Sequence, residues 1–117
     1  MADIDDVMWA DAEKRGRIEM ATKPRAQSAR YDVHSGRVVV ELVNGSLFEF
    51  PARLAQGLES ATDEQLAAVS VIGVGFGLHW EAVDVDLKVE SLMAGRFGST
   101  RYMIDRFGGD WHHTIAA

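Results

Sequence analysis

The sequence predicts an α+β fold. Its antiparallel sheet is built on a β-meander over about residues 29–50, with a second strand pair at about 70–80, short helices and a longer N-terminal helix. Three observations predict it. Residues 29–50 hold three alternating or β-branched runs separated by turn dipeptides, which is the pattern of a pleated, half-buried surface. Asn44-Gly45 sits between two of them, a pair that tolerates positive φ and marks a hairpin. Outside that region apolar residues recur at helical spacing, in a chain of 117 residues that suits one domain.

In order along the chain, residues 3–22 read as an amphipathic helix. Asp3 is its N-cap, acids crowd its first turns as the macrodipole favours, and Ile4, Val7, Met8 and Ile18 share a face. Gly16 weakens it midway and Pro24 bounds it. Trp9 falls off that face, either lying over a neighbouring segment or anchoring an interface. Ala29–His34 alternates, Ser35-Gly36 turns, and Arg37–Val43 is rich in valine; Ser46–Phe50 returns until Pro51, which cannot donate to a ladder, ends it. Thr62-Asp63-Glu64-Gln65 fits a capping box opening a short helix. Residues 71–74 and 77–80 read as strands, Asp86–Met93 as a helix capped by Asp86 and stopped at Gly95, and Ser99–Phe107 as a last helix ending at Gly108-Gly109. The expected core is Val38, Val40, Leu42, Phe48, Phe50, Leu66, Ile72, Leu78, Trp80, Leu92 and Met93, with the faces of 38–42 open to exchange by a one-residue slip. The expected organisation is a single domain over 1–117, comprising an N-terminal helical arm (1–26), a core (27–97), and a C-terminal helix and tail (98–117).

Composition excludes several chemistries. There is no cysteine, so disulfides, thiolate metal sites and cysteine nucleophiles are absent. No apolar run approaches the roughly 18 residues of a membrane span. The acidic Met1–Asp6 stands where a signal peptide would be basic, which predicts a cytoplasmic protein. The net charge of −6 is unevenly laid out. Residues 1–13 carry five acids and no base; residues 14–37 hold seven of the twelve bases against Glu19 and Asp32; residues 38–95 hold nine acids against Arg53 and Lys88. The 14–37 segment is either a self-compensating arm or a basic face for nucleic acid or an acidic protein. The candidate partner or dimer contacts are Arg15, Arg17, Arg25 and Arg30 within it and Trp9 before it. Phosphate affinity comes mainly from local positive charge, so in an acidic chain only that segment offers a DNA contact.

Chemistry motifs are weak throughout. Gly73-Val74-Gly75-Phe76-Gly77 lacks the following lysine and helix of a phosphate loop and reads as a tight bend between strands. Glu81, Asp84 and Asp86 form an acidic run without the glycine hinge and terminal glutamate of a calcium loop. Of the histidines, His112 and His113 are adjacent and point apart on regular structure, while His79 reads as hydrogen-bonded and half-buried. No serine lies in a nucleophile elbow. The expectation is therefore no catalytic residue, no metal and no cofactor, with an uncharacterised enzyme as the remote alternative.

Several of these pieces, in this order, resemble a small bacterial family, domain-of-unknown-function family 2442. They are Ala29-Arg30-Tyr31-Asp32, the valine strand ending in Asn44-Gly45, Phe50-Pro51, Leu54, Ala61-Thr62, Gly77-Leu78-His79-Trp80, Val83-Asp84-Val85-Asp86-Leu87, and Val89–Gly95. The resemblance covers roughly residues 27–97 and departs from the family's usual leucine at Val83. It implies a small α+β protein with an antiparallel sheet. Some members are joined to a helix-turn-helix domain, for which this chain leaves no room beyond residue 97, and many look like antitoxin partners in two-gene modules. No catalytic residues are established for the family, so none carry over. Together these readings give the expected function: a non-catalytic protein-binding module, antitoxin-like, self-associating as a homodimer in which the acidic 1–13 segment meets the basic 14–37 segment. The alternative is a regulatory or sensing domain touching DNA through residues 14–37.

Overall fold

The computed structural model describes residues 4–108. Asp3 and the Trp111-His112-His113 tail lie outside them. The first sheet follows from alternation. Strand β2 (Arg37–Leu42) buries Val38, Val40 and Leu42 and leaves Arg37, Val39 and Glu41 on its outer face, which settles which face is inward. It is flanked antiparallel by β1 (Ala26–Asp32) and β3 (Leu47–Pro51), with Tyr31 opposite Val38 and Val38 opposite Phe50. The β1–β2 turn is organised by Asp32, whose carboxylate accepts from His34 N–H at 3.1 Å and Ser35 Oγ at 2.9 Å. In the β2–β3 turn only Gly45 has positive φ, at 90°; Asn44 acts through its side-chain oxygen, which accepts from Ser46 N–H at 2.9 Å.

A loop through a 3-10 turn at Ala52–Leu54 leads to α2 (Asp63–Ala67), whose capping box forms as expected: Thr62 Oγ1 accepts from Gln65 N–H at 3.1 Å and Gln65 Oε1 from Thr62 N–H at 3.0 Å. A second antiparallel sheet follows, and it has three strands where the sequence predicts two: β4 (Val69–Ile72), β5 (Gly77–Trp80) and β6 (Val85–Lys88). The glycine-rich bend between β4 and β5 is the expected tight turn, with Gly73, Val74 and Gly75 all at positive φ. The remaining helices are α3 (Val89–Met93) and α4 (Thr100–Phe107), the latter capped by Ser99 Oγ on Tyr102 N–H and closed by Gly108 at φ 75°.

Three sequence expectations are corrected. Residues 86–93 are not one helix. Asp86 pairs across the sheet with His79 and is not an N-cap, and only Val89–Met93 is helical, because two inward residues of a strand followed by two of a short helix mimic helical spacing. Ile72 and Met93 leave the expected core, at 39% and 45% exposure. Along β4 the half-buried positions are Val69 and Val71, so Ile72 falls on the outer face; along α3 the inward positions are Val89 and Leu92. Phe48 is partly buried and stacks at 6.2 Å on Phe50, while the other expected core residues, Trp80 among them, are buried. β1 packs beside β4, so the inner faces of the two sheets share one core.

Candidate interaction surface

Helix α1 (Ile4–Thr22) stands apart from that core. Every residue from Val7 to Lys23 is exposed, including Val7, Met8, Trp9 (69%), Ile18 and Met20. It is not the amphipathic helix expected. At 100° per residue Val7, Met8 and Ile18 share one side while Trp9 and Met20 occupy another, so no single apolar face emerges. Gly16 has nothing within 4 Å of where a Cβ would stand. There it opens a shallow groove of about 600 Å³ lined by Glu13, Gly16, Arg17, Met20 and Ala21. At the root of α1 a second cleft of about 380 Å³ runs between Met20 and the β2–β3 turn, where Val43, Leu47 and Met93 are exposed.

The residues singled out from the sequence do not converge on one site. Trp9, Arg15 and Arg17 lie along α1, with Arg17 3.9 Å from Glu13. Arg25 is committed within the chain: its Nε donates to Met20 O at 3.1 Å and its Nη1 to Val74 O at 3.3 Å, tying the helix end to the glycine bend. Arg30 is exposed on the outer face of β1, beside Val39, Glu41 and Leu47. Other bases of the segment are paired internally, Lys23 with Glu19 (3.5 Å) and Glu90 (3.9 Å) and Arg37 with Glu49 (3.8 Å). The basic segment is thus spread over three elements, α1, β1 and the start of β2.

Two polar clusters arise that sequence reasoning did not assemble. Arg53 donates through Nε and Nη2 to Ala61 O and through Nη2 to Asp63 Oδ1 at 3.1 Å, and Tyr31 OH donates to the same oxygen at 2.8 Å. The Tyr31 and Arg53 donors hold Asp63 below its ordinary pKa, and the cluster clamps β1, the loop and α2 together. The second cluster lies on the outer face of the second sheet. His79 Nε2 meets Glu81 Oε2 and its Nδ1 meets Asp86 Oδ1, both at 2.5 Å. The two carboxylates occupy opposite ring nitrogens and do not converge on a common point, and among the described residues no group of three or more His, Asp or Glu could hold a metal ion. Asp84, the third member of the acidic run, sits at φ 52° in the turn between them.

Both His79 nitrogens donate only in the imidazolium form, so Glu81 first and Asp86 second raise its pKa above the ordinary value. A group whose folded pKa is raised contributes stability that is complete below its unfolded value and is lost as pH rises through the folded one. Urea midpoints of the wild type should therefore fall as pH climbs from the ordinary histidine value, near 6.5, through the raised one. The His79→Gln protein should lack that fall; an identical slope in both would remove the imidazolium from the explanation.

The sequence over residues 26–98 matches the family described as "Protein of unknown function (DUF2442)". The chain belongs to this family. The DUF2442 match begins after α1, so the exposed helix stands outside the family-wide core. This DUF2442 chain is similar to a protein of unknown function from Rhodospirillum rubrum, with 58% identity, a TM-score of 0.68, and coverage of 70% of this chain and 99% of that one. It also shares its fold with an uncharacterised protein from Chromobacterium violaceum, at 24% identity and TM-score 0.68 over 90% and 93% of the two chains. No curated protein matches this DUF2442 chain. Among its described residues no helix is long and apolar enough to cross a membrane.

Proposed function

We propose that this chain is a non-catalytic protein-binding module of the bacterial cytoplasm, the antitoxin-like half of a two-gene pair. The observation that supports the reading is α1. It has nineteen residues and an internal glycine, and none of the residues described from Val7 onward is buried. Helices in proteins draw most of their stability from a packed face, and the exposed i,i+4 pairs Glu13–Arg17 and Glu19–Lys23 contribute only about 0.3–0.5 kcal/mol each. Another protein chain supplies the missing contact. The body adds charge: its nine acids over 38–95, several of them exposed at Glu59, Glu64, Glu81, Asp84 and Glu90, complement a basic partner and speed its encounter.

The test is co-expression of the full chain with the product of the adjacent gene. The expected result is that a neighbour toxic by itself becomes tolerated and co-purifies with this chain. A neighbour that is harmless alone and never co-purifies sinks the two-gene reading.

A further inference from the structure

We infer that the first occupant of α1 is the α1 of a second copy, lying antiparallel across a two-fold axis. This rests on α1 being a binding element, as proposed above, and names what it binds. Charge is segregated along the helix. Residues 4–13 hold Asp5, Asp6, Asp11 and Glu13 and no base, while residues 14–25 hold five bases against Glu19. The helix macrodipole favours such an order only within the first and last turns, yet the order runs on through Glu13 and Arg17, which sit mid-helix on the same side as Trp9 and line the groove at Gly16. Their segregation is accounted for by an antiparallel neighbour, whose acidic half then lies along this basic half and the reverse. A parallel pair would set like charge on like.

Shape gives the register. A two-fold contact must use the same surface on both copies. Trp9 and Gly16 are seven residues apart, two turns along nearly one face and about 10 Å along the axis. With the two-fold axis between residues 12 and 13, each Trp9 falls level with the Gly16 of the other copy, a large ring over the groove that the missing side chain leaves. In the same register, and on the same side as Trp9 at 100° per residue, Arg17 falls within about 3 Å along the axis of the other copy's Asp6 position. The first turn of each helix then arrives at the other's root cleft, where Met20, Val43 and Met93 are exposed. A tryptophan laid over a shallow groove near the centre of an interface, flanked by opposite charges, is the usual anchor of a binding hot spot.

Sedimentation velocity on the full-length chain at micromolar concentration tests this. A dimer is expected. Trp9→Ala should weaken it by about thirtyfold or more, as for a truncated hot-spot anchor. Gly16→Leu, which closes the groove while favouring the helix, should do the same with helical circular dichroism undiminished, so that loss of the helix is not the cause. A chain carrying Arg17→Glu and Lys23→Glu, and another carrying Asp5→Lys and Asp6→Lys, should each be monomeric alone and form a mixed dimer when combined. A monomeric wild type, a dimer indifferent to Gly16→Leu, or charge variants that do not pair on mixing would each overturn the antiparallel pair. A monomer that still co-purifies with the neighbouring gene product would overturn the pair and leave the two-gene reading standing; a dimer with no such partner would do the reverse.

Discussion

Trp80→Ala is expected to lower the stability of the domain by about 3–5 kcal/mol, a large share of the roughly 5–15 kcal/mol that holds a domain of this size. Trp80 ends β5, is fully buried, and is the largest of the completely buried side chains. Its indole Nε1 donates to Leu66 O at 3.2 Å, joining the second sheet to the buried residue of α2. Truncation therefore removes a ring from the centre of a close-packed core and deprives a buried carbonyl of its partner. Urea unfolding at 25 °C should show the midpoint drop, and the melting temperature should fall by about 15 °C or more. Trp80→Phe keeps an aromatic ring and loses the indole N–H, so it should fall between the two. A Trp80→Ala protein within about 1 kcal/mol of wild type would mean that the site collapses around the deletion, contrary to the packing described.

Gly75→Ala is the second large effect, through the backbone. Gly75 is buried in the bend between β4 and β5 at φ 100°, a conformation that side chains rarely adopt. A Cβ there would stand 2.6 Å from Ala26 O, 3.0 Å from Arg25 Cβ and 3.2 Å from Ala26 N. The nearest atom is backbone at the start of β1, so relief requires the first strand to move away from the bend. Strain of roughly 1–3 kcal/mol at the dihedral and roughly 1–3 kcal/mol of overpacking give an expected loss of about 3 kcal/mol. Gly73→Ala is the control. Gly73 is also at positive φ, 57°, but nothing lies within 4 Å of its would-be Cβ, so only the dihedral cost of about 1 kcal/mol should appear. Equal urea midpoints for the two variants would show that the close approach to Ala26 contributes nothing.

Much of this fold is written in local pattern. The valine alternation of β2, the turn chemistry of Asp32–Gly36 and Asn44-Gly45, and the Thr62–Gln65 box are each short-range devices. The two turns and the box form hydrogen bonds within a few residues of themselves, and the alternation is read from neighbours two apart. Where the reading failed, period and face were confounded. Val85, Leu87, Val89 and Leu92 satisfy a strand-then-helix and a helix equally well, and only pairing with β5 at His79–Asp86 and Trp80–Val85 decides between them. The candidate site was legible in its parts. Trp9, Arg15 and Arg17 carried a signal in their exposure-prone placement and charge. Arg25 gave no sign that its guanidinium would be taken up by carbonyls of Met20 and Val74, forty-nine residues away in the second case. Nor did Arg53, Asp63 and Tyr31, dispersed over thirty-two residues, signal that they would meet.

The sequence by itself determined the fold class, the meander with its turns, the absence of cysteine chemistry and the polarity of charge along the N-terminal helix, since each depends on residues adjacent or one period apart. Tertiary structure alone decided that a second sheet has three strands, that His79 lies between two carboxylates, and that α1 projects with its apolar residues uncovered. Those outcomes depend on which distant segments share a face, and burial of apolar surface, which drives that choice, is non-directional until the chain has closed on itself.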